Sequence, residues 1–227
     1  MRFRKLSLAA VGIASLLTIS GGVSMTQAQQ ADMTYTATLA PLNSSVTGGE
    51  ASGNVTFTIA GDQLTIDVTA KGVPPDMEHW QHFHGFAEGN KDATCPSASA
   101  DTNGDGIIDL IETEPVAGTT MAPLSDDPVS MDIPTGTYPT ADADGAYTNK
   151  MTVSLKAMQE AFAAQFPGQS LDLDRRVVFI HGVPSSTSLP DTVASLGDIP
   201  AQVTLPIACG ELTHVEAAAT PAATPGA

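Results

Sequence analysis

Three of the chain's five histidines fall within six residues, His79-Trp80-Gln81-His82-Phe83-His84, while His181 and His214 lie far downstream. On a strand successive side chains alternate, so His82 and His84 share a face with Trp80 and His79 points away. Two imidazoles two apart on a strand have the spacing to hold one metal ion. His181 ends a second apolar run and can provide a third nitrogen. Three neutral imidazoles suit copper or zinc, and the Irving–Williams order favours copper where both are present. Solvated strand histidines share this spacing, so the His-x-His pair alone leaves both readings open.

A second constellation is acidic. Asp101-Thr102-Asn103-Gly104-Asp105-Gly106-Ile107-Ile108-Asp109-Leu110-Ile111-Glu112 satisfies the full EF-hand loop pattern. Oxygen ligands for calcium would come from Asp101, Asn103, Asp105, the Ile107 carbonyl, Asp109 (directly or through water) and Glu112, with Gly106 making the sharp turn. Cys95-Pro96-Ser97 before the loop and Glu114-Pro115 after it argue against flanking helices. The segment therefore looks like the helix-poor calcium loops of dockerin-like and other extracellular proteins. Extracellular sites of this kind are weak, with Kd about 10⁻⁴–10⁻³ M, and the expected role is structural. The plainer alternative is an acidic turn that meets no ion. Asp142-Ala143-Asp144-Gly145 reads as a turn, Arg175 and Arg176 are expected to pair with Asp172 and Asp174, and His214 is expected to be solvated beyond the last strand. There is no nucleophile elbow, phosphate loop or zinc-protease signature.

The elements that must position these groups are mostly strands. Val55, Phe57 and Ile59 alternate with threonines, as do Leu64, Ile66 and Val68 with Thr65, Asp67 and Thr69, and Gly61-Asp62 between them predicts a hairpin with one buried face. Further strands are expected at Tyr35–Leu39, His79–Phe86, Val177–His181 and Val203–Cys209, the last with Pro206 marking an edge or bulge. Leu155, Met158, Phe162 and Phe166 fall at helical spacing and Pro167-Gly168 stops the run, which predicts one helix packed over the sheet. The stretch from Asp92 to Ala146 is rich in Asp, Pro, Gly and Thr and is expected to be a long ordered loop. The fold class implied is all-β, a sandwich or barrel.

Composition narrows the setting. The 227 residues carry 25 Asp+Glu against 9 Lys+Arg, a formal charge of −16, which argues against nucleic acid and anionic membranes as partners. Arg2, Arg4 and Lys5 precede an apolar run from Leu6 to Ile19, and Thr26-Gln27-Ala28 offers small residues for cleavage, so residues 1–28 read as a secretory signal peptide. After its removal no transmembrane span is expected, and the chain would work in a secreted or periplasmic, extracytoplasmic compartment that permits disulfides. Residues 216–227 repeat Ala-Ala-Thr-Pro and read as a flexible tail. Cys95 and Cys209 are the only cysteines, so one disulfide is possible; closing more than 100 residues, it would contribute about 4–5 kcal/mol. The competing reading is a copper thiolate at Cys209 with His214, although no Met follows to serve as axial ligand.

The order of these motifs adds a resemblance. Gly72-Val73-Pro74-Pro75, then His79-x-x-His82-x-His84-x-Phe86, then Cys95, resembles copper/zinc superoxide dismutases, in which a Gly-Leu-x-Pro turn leads into His-Gly-Phe-His-x-His and a later disulfide cysteine. Arg176-Val177-Val178-Phe179-Ile180-His181 looks like that family's strand ending in a copper histidine, and Ile207-Ala208-Cys209-Gly210 like its C-terminal Leu-Ala-Cys-Gly. The similarity spans most of residues 33–212. It implies a Greek-key β-barrel or sandwich with long loops and one short helix, copper on His82, His84 and His181, a structural His79, and a Cys95–Cys209 bridge. Chordin-type (CHRD) domains are related in appearance. The departures are specific: no histidine lies between Cys95 and Arg175, so the family's bridging and zinc histidines are missing, and Pro206 stands where its substrate-guiding arginine would be. Zinc is therefore not expected. Three functions follow as expectations: a redox-active copper protein with superoxide as the family-implied substrate, a non-enzymatic CHRD-like extracellular module, or a protein that buffers or delivers copper.

Overall fold

The computed structural model describes residues 32–89 and 91–216. The expected signal peptide and all but the first residue of the expected tail lie outside that range. The strands are β1 (Met33–Pro41), β2 (Ser52–Ala60), β3 (Gln63–Lys71), β4 (Gln81–Gly85), β5 (Thr119–Pro123), β6 (Ala146–Ser154), β7 (Val177–His181), β8 (Pro206–Glu211) and β9 (Thr213–Val215). The helices are α1 (Ser44–Thr47), α2 (Leu110–Ala117), α3 (Leu155–Gln165) and α4 (Ala201–Thr204). All pairings are antiparallel, in the order β5-β4-β7-β8-β1-β2-β3-β6, with β9 added to β1. The sheet curls into a half-barrel.

Alternation decides which face is buried. In β2 Gly53, Val55, Phe57 and Ile59 point inward, and in β3 Leu64, Ile66, Val68 and Ala70 do the same. The Gly61-Asp62 turn joins them with Ala60 opposite Gln63, and Gly61 takes the positive φ of 58° that the turn requires. The interior centres on phenylalanines: Phe57 meets Phe83 at 6.3 Å and Phe83 meets Phe162 of α3 at 5.8 Å between ring centroids. α3 begins where the Ser154 hydroxyl accepts the Ala157 amide at 3.1 Å and ends just before Pro167. Its Met158 and Phe162 are fully buried, as its apolar stripe predicts.

Several expectations are corrected. The stretch 92–146 is not all loop, because it contains α2 and β5 and leads directly into β6. Residues Ala201–Thr204 turn as α4, so the last long strand starts at Pro206 rather than Val203. His214 sits on β9, exposed but 5.1 Å from the Tyr35 ring centroid. Arg175 pairs with Asp92 at 3.6 Å, and Arg176 is buried, donating to the carbonyls of Leu171 at 2.9 Å and Ser170 at 2.8 Å. Neither ion-pairs with Asp172 or Asp174. Cys95 and Cys209 form the disulfide, with Cα atoms 5.8 Å apart, so the thiolate alternative falls. Among the described residues no helix is long and apolar enough to cross a membrane.

Candidate metal centre

β4 lies between β5 and β7, and all five of its residues are buried. Phe83 points into the main core, so its neighbours His82 and His84 must share the opposite face. There they are 3 % and 1 % exposed. In β7 Val178 and Ile180 enter the main core, while Val177 and Phe179 pack a smaller cluster with Ala93, Ala117 and Cys209 on the histidine side. His82 pairs with Phe179 and His84 with Val177, which brings the end of β7 alongside the pair. A bulge between Ile180 and His181 shifts the β7–β8 register, and another between Phe83 and His84 shifts β4–β5. Bulges re-aim side chains near sites, and here both fall at a candidate ligand.

The result is convergence. One potential ligand atom from each of His82, His84 and His181 lies within 4.8 Å of the others. Ring centroids are 6.2 Å apart for His82–His84, 5.1 Å for His82–His181 and 5.8 Å for His84–His181. Each ring has one nitrogen engaged and one without a partner. His181 Nδ1 donates to the Thr204 carbonyl at 2.8 Å, leaving Nε2. His82 Nε2 lies 3.1 Å from the Tyr138 hydroxyl, which itself donates to the Ile133 carbonyl at 3.0 Å. The Tyr138 oxygen therefore accepts from Nε2, and His82 Nδ1 keeps its lone pair. His84 Nε2 meets the Thr120 hydroxyl at 3.2 Å and its Nδ1 is unpartnered. Three buried imidazoles, each with a nitrogen that has no hydrogen-bond partner, are costly unless something binds them.

Electrostatics keep the rings neutral, the form that binds metal. Burial pushes all three below the ordinary histidine range, His181 to about 4 and the other two well below 6.5. Their mutual proximity adds to this for His82 and His84, while the Gly118 carbonyl opposes it at His84. His79 is fully buried but separate, lying between the carbonyls of His181 at 3.0 Å and Pro74 at 2.8 Å. It ties the loop before β4 to the end of β7, as a structural histidine would. Trp80, Leu110, Ile133 and Leu196 surround a cavity of about 20 Å³ that His82 and His181 also line.

The acidic loop has an architecture that its sequence only partly suggested. It exits directly into α2, so the expectation of no flanking helix fails on its C-terminal side. Asp109 and Glu112 form a capping box: Asp109 Oδ1 accepts the Glu112 amide at 3.0 Å and Glu112 Oε2 accepts the Asp109 amide at 3.2 Å. The Asp-x-x-Glu spacing of a capping box is present in the sequence, at two positions that also read as calcium ligands. Asp101 accepts the amides of Gly104 at 2.7 Å and Gly106 at 2.9 Å, Asn103 that of Asp105 at 2.8 Å, and Asp105 that of Ile107 at 2.8 Å. Gly106 has φ 83°, as a sixth-position turn requires. The far chain also enters: Thr192 donates to Asp105 at 2.5 Å and the Ala194 amide to Asp109 at 2.7 Å.

Sequence reasoning missed Tyr138, Thr120 and Thr204, which hold the three rings. Tyr138 lies in a Pro/Thr-rich connection without periodicity, and Thr204 acts through its carbonyl, which no side-chain pattern reveals. Compared by sequence, the chain matches no protein-family model and no curated protein.

Proposed function

We propose that this is a secreted copper-holding protein on a superoxide dismutase-like scaffold, with copper bound by His82, His84 and His181. The observation that carries the reading is the set of three buried imidazoles, each with one nitrogen fixed by a neighbour and the other unpartnered. An all-nitrogen donor set fits copper, and bound copper supplies one-electron chemistry between Cu(II) and Cu(I). The chain's part is to orient the rings, keep them unprotonated and keep bulk water away. Efficient superoxide turnover is not part of this reading, because none of the six lysines and arginines among the described residues lines the opening. Retention or delivery of copper accords better with that surface, and a CHRD-like module without copper is the competing outcome.

Calcium in the loop Asp101–Glu112 belongs to the same reading as a structural ion. The EF-hand order of residues and the positive φ of Gly106 support it. The test is metal analysis of the purified protein for copper, zinc and calcium per chain, repeated after reconstitution. One copper per chain, lost in His82→Ala and His181→Ala, is the expected result. Stoichiometric uptake that survives both substitutions sinks the assignment, and calcium alone would leave the CHRD-like module.

A further inference from the structure

We propose that the acidic loop Asp101–Glu112 controls the histidine centre: calcium in the loop tightens copper binding, and copper tightens calcium binding by the same factor. The inference rests on the copper and calcium reading and adds the regulation of that centre. The loop's charge is uncompensated. Asp101, Asp105, Asp109 and Glu112 lie within twelve residues, and among the described residues none of them pairs with a lysine or arginine. Asp109 and Glu112 are only 3 % and 8 % exposed. Buried carboxylates with no cation beside them are what a bound metal ion relieves. Glu112 spans the loop: its Oε1 accepts the Thr102 amide at 2.8 Å and the Asn103 amide at 3.2 Å, while its Oε2 accepts that of Asp109.

Three connections run from this loop to the histidines. Asp109 and Glu112 cap α2, which passes through Gly118 into β5, where the Thr120 hydroxyl lies 3.2 Å from His84 Nε2. Asp105 accepts the Thr192 hydroxyl at 2.5 Å and Asp109 the Ala194 amide at 2.7 Å. Leu196, just beyond, lines one cavity with His82 and His181, as does Leu110 of the loop itself. Asn43 donates to the carbonyls of Ile108 at 2.8 Å and Pro206 at 2.9 Å, and Pro206 is the register partner of His181. Without an ion, repulsion among the carboxylates works against the same bonds that hold Thr192, Ala194 and the start of α2. Calcium removes that repulsion and favours the arrangement that frames the rings. Copper needs the rings so framed and gains affinity, and linkage makes the gain mutual.

The test uses the full mature protein and reads Cu(I) affinity by competition with an aromatic-nitrogen chelator that ignores calcium. Calcium at about 5 mM, above the Kd of about 10⁻⁴–10⁻³ M usual for extracellular loops, should tighten Cu(I) binding. The expected gain is about tenfold, the middle of the usual range for coupled sites. Magnesium at the same concentration should give none of it. Calorimetric titration with calcium should show the same factor between copper-free and copper-loaded protein. Asp101→Asn, whose carboxylate bonds only Gly104 and Gly106 inside the loop, should take up copper like calcium-free wild type and show no response. Thr192→Val, which cuts one connection and removes no carboxylate, should still bind calcium but respond less. Equal copper affinity with and without calcium in a protein that binds both ions, or an undiminished response in Thr192→Val, overturns the proposal and leaves both sites standing. Absence of calcium uptake overturns it together with the calcium reading. Copper uptake that persists in His82→Ala overturns the metal-centre reading itself, and this proposal with it.

Discussion

The Thr204 carbonyl accepts the Nδ1 proton of His181 at 2.8 Å, which fixes the tautomer of the one ligand that comes from β7. Because α4 ends at Thr204, a single helical turn between two strands sets the orientation of that ring. Its counterpart at His82 is a side chain, the Tyr138 hydroxyl.

This difference gives a paired prediction. Tyr138→Phe removes the acceptor of the His82 Nε2 proton and should lower copper affinity about 10–100-fold, the usual effect of losing a partner of a ligating histidine. Thr204→Val keeps the carbonyl and should change affinity little. Competition titration against a copper chelator measures both, and equal effects in the two variants would contradict the assignment.

Acid should destabilise the metal-free protein in a definite window. The unfolded chain protonates its histidines near pH 6.5, whereas the folded chain holds His181 at about 4 and His82 and His84 well below 6.5. The unfolded state therefore binds more protons below pH 6.5, and stability, complete above that pH, falls as pH drops towards 4. His181 alone accounts for about 3 kcal/mol across that window. Urea midpoints at pH 7.5 and 4.5 check this, with an unchanged midpoint contradicting it.

Replacing both cysteines with alanine should cost about 4–5 kcal/mol, because Cys95 and Cys209 are 114 residues apart and the bridge restricts the unfolded chain. A denaturant series on the variant reads the loss directly.

Asn43 should be sensitive because it joins the acidic loop to the start of β8, whose Pro206 pairs with His181. Its amide donates to the carbonyls of Ile108 at 2.8 Å and Pro206 at 2.9 Å, and its oxygen accepts the Ile108 amide at 2.9 Å. It also takes a left-handed conformation, φ 53°, which asparagine tolerates better than alanine. Asn43→Ala should cost about 2–3 kcal/mol through those lost bonds, and Asn43→Gly should recover only the backbone part. Thermal or urea unfolding of the two variants separates the contributions.

What could be read from the sequence was local. Val177–His181 carries an uninterrupted apolar run to its histidine, the Gly61-Asp62 turn joins two clean alternations, and Ser154 with Pro167-Gly168 brackets α3; all three appear as expected. β6 was missed because polar Asn149 interrupts its inward series of Tyr147, Met151 and Val153. That asparagine turns out to donate to the Leu124 carbonyl at 3.1 Å. β5 has no alternation, and β9 is only three residues long, formed because β1 offers it an edge. In the centre itself His82 and His84 are visible by spacing. Their convergence with His181 depends on strand neighbours far apart in sequence, and Tyr138 on a loop with no pattern.

β1 pairs with β2 along Met33–Leu39, with β9 at Thr34–Thr36, and with β8 at Ala40 and Pro41. The first strand to be synthesised thus waits for the last two before its second edge is satisfied. A chain grown only to Leu205 would leave β1 and β7 each with an open edge, a template for pairing with other chains. Closure is consequently a late event dominated by distant contacts, which makes folding slow. Removing residues 206–215 should therefore undo the whole sheet rather than trim it.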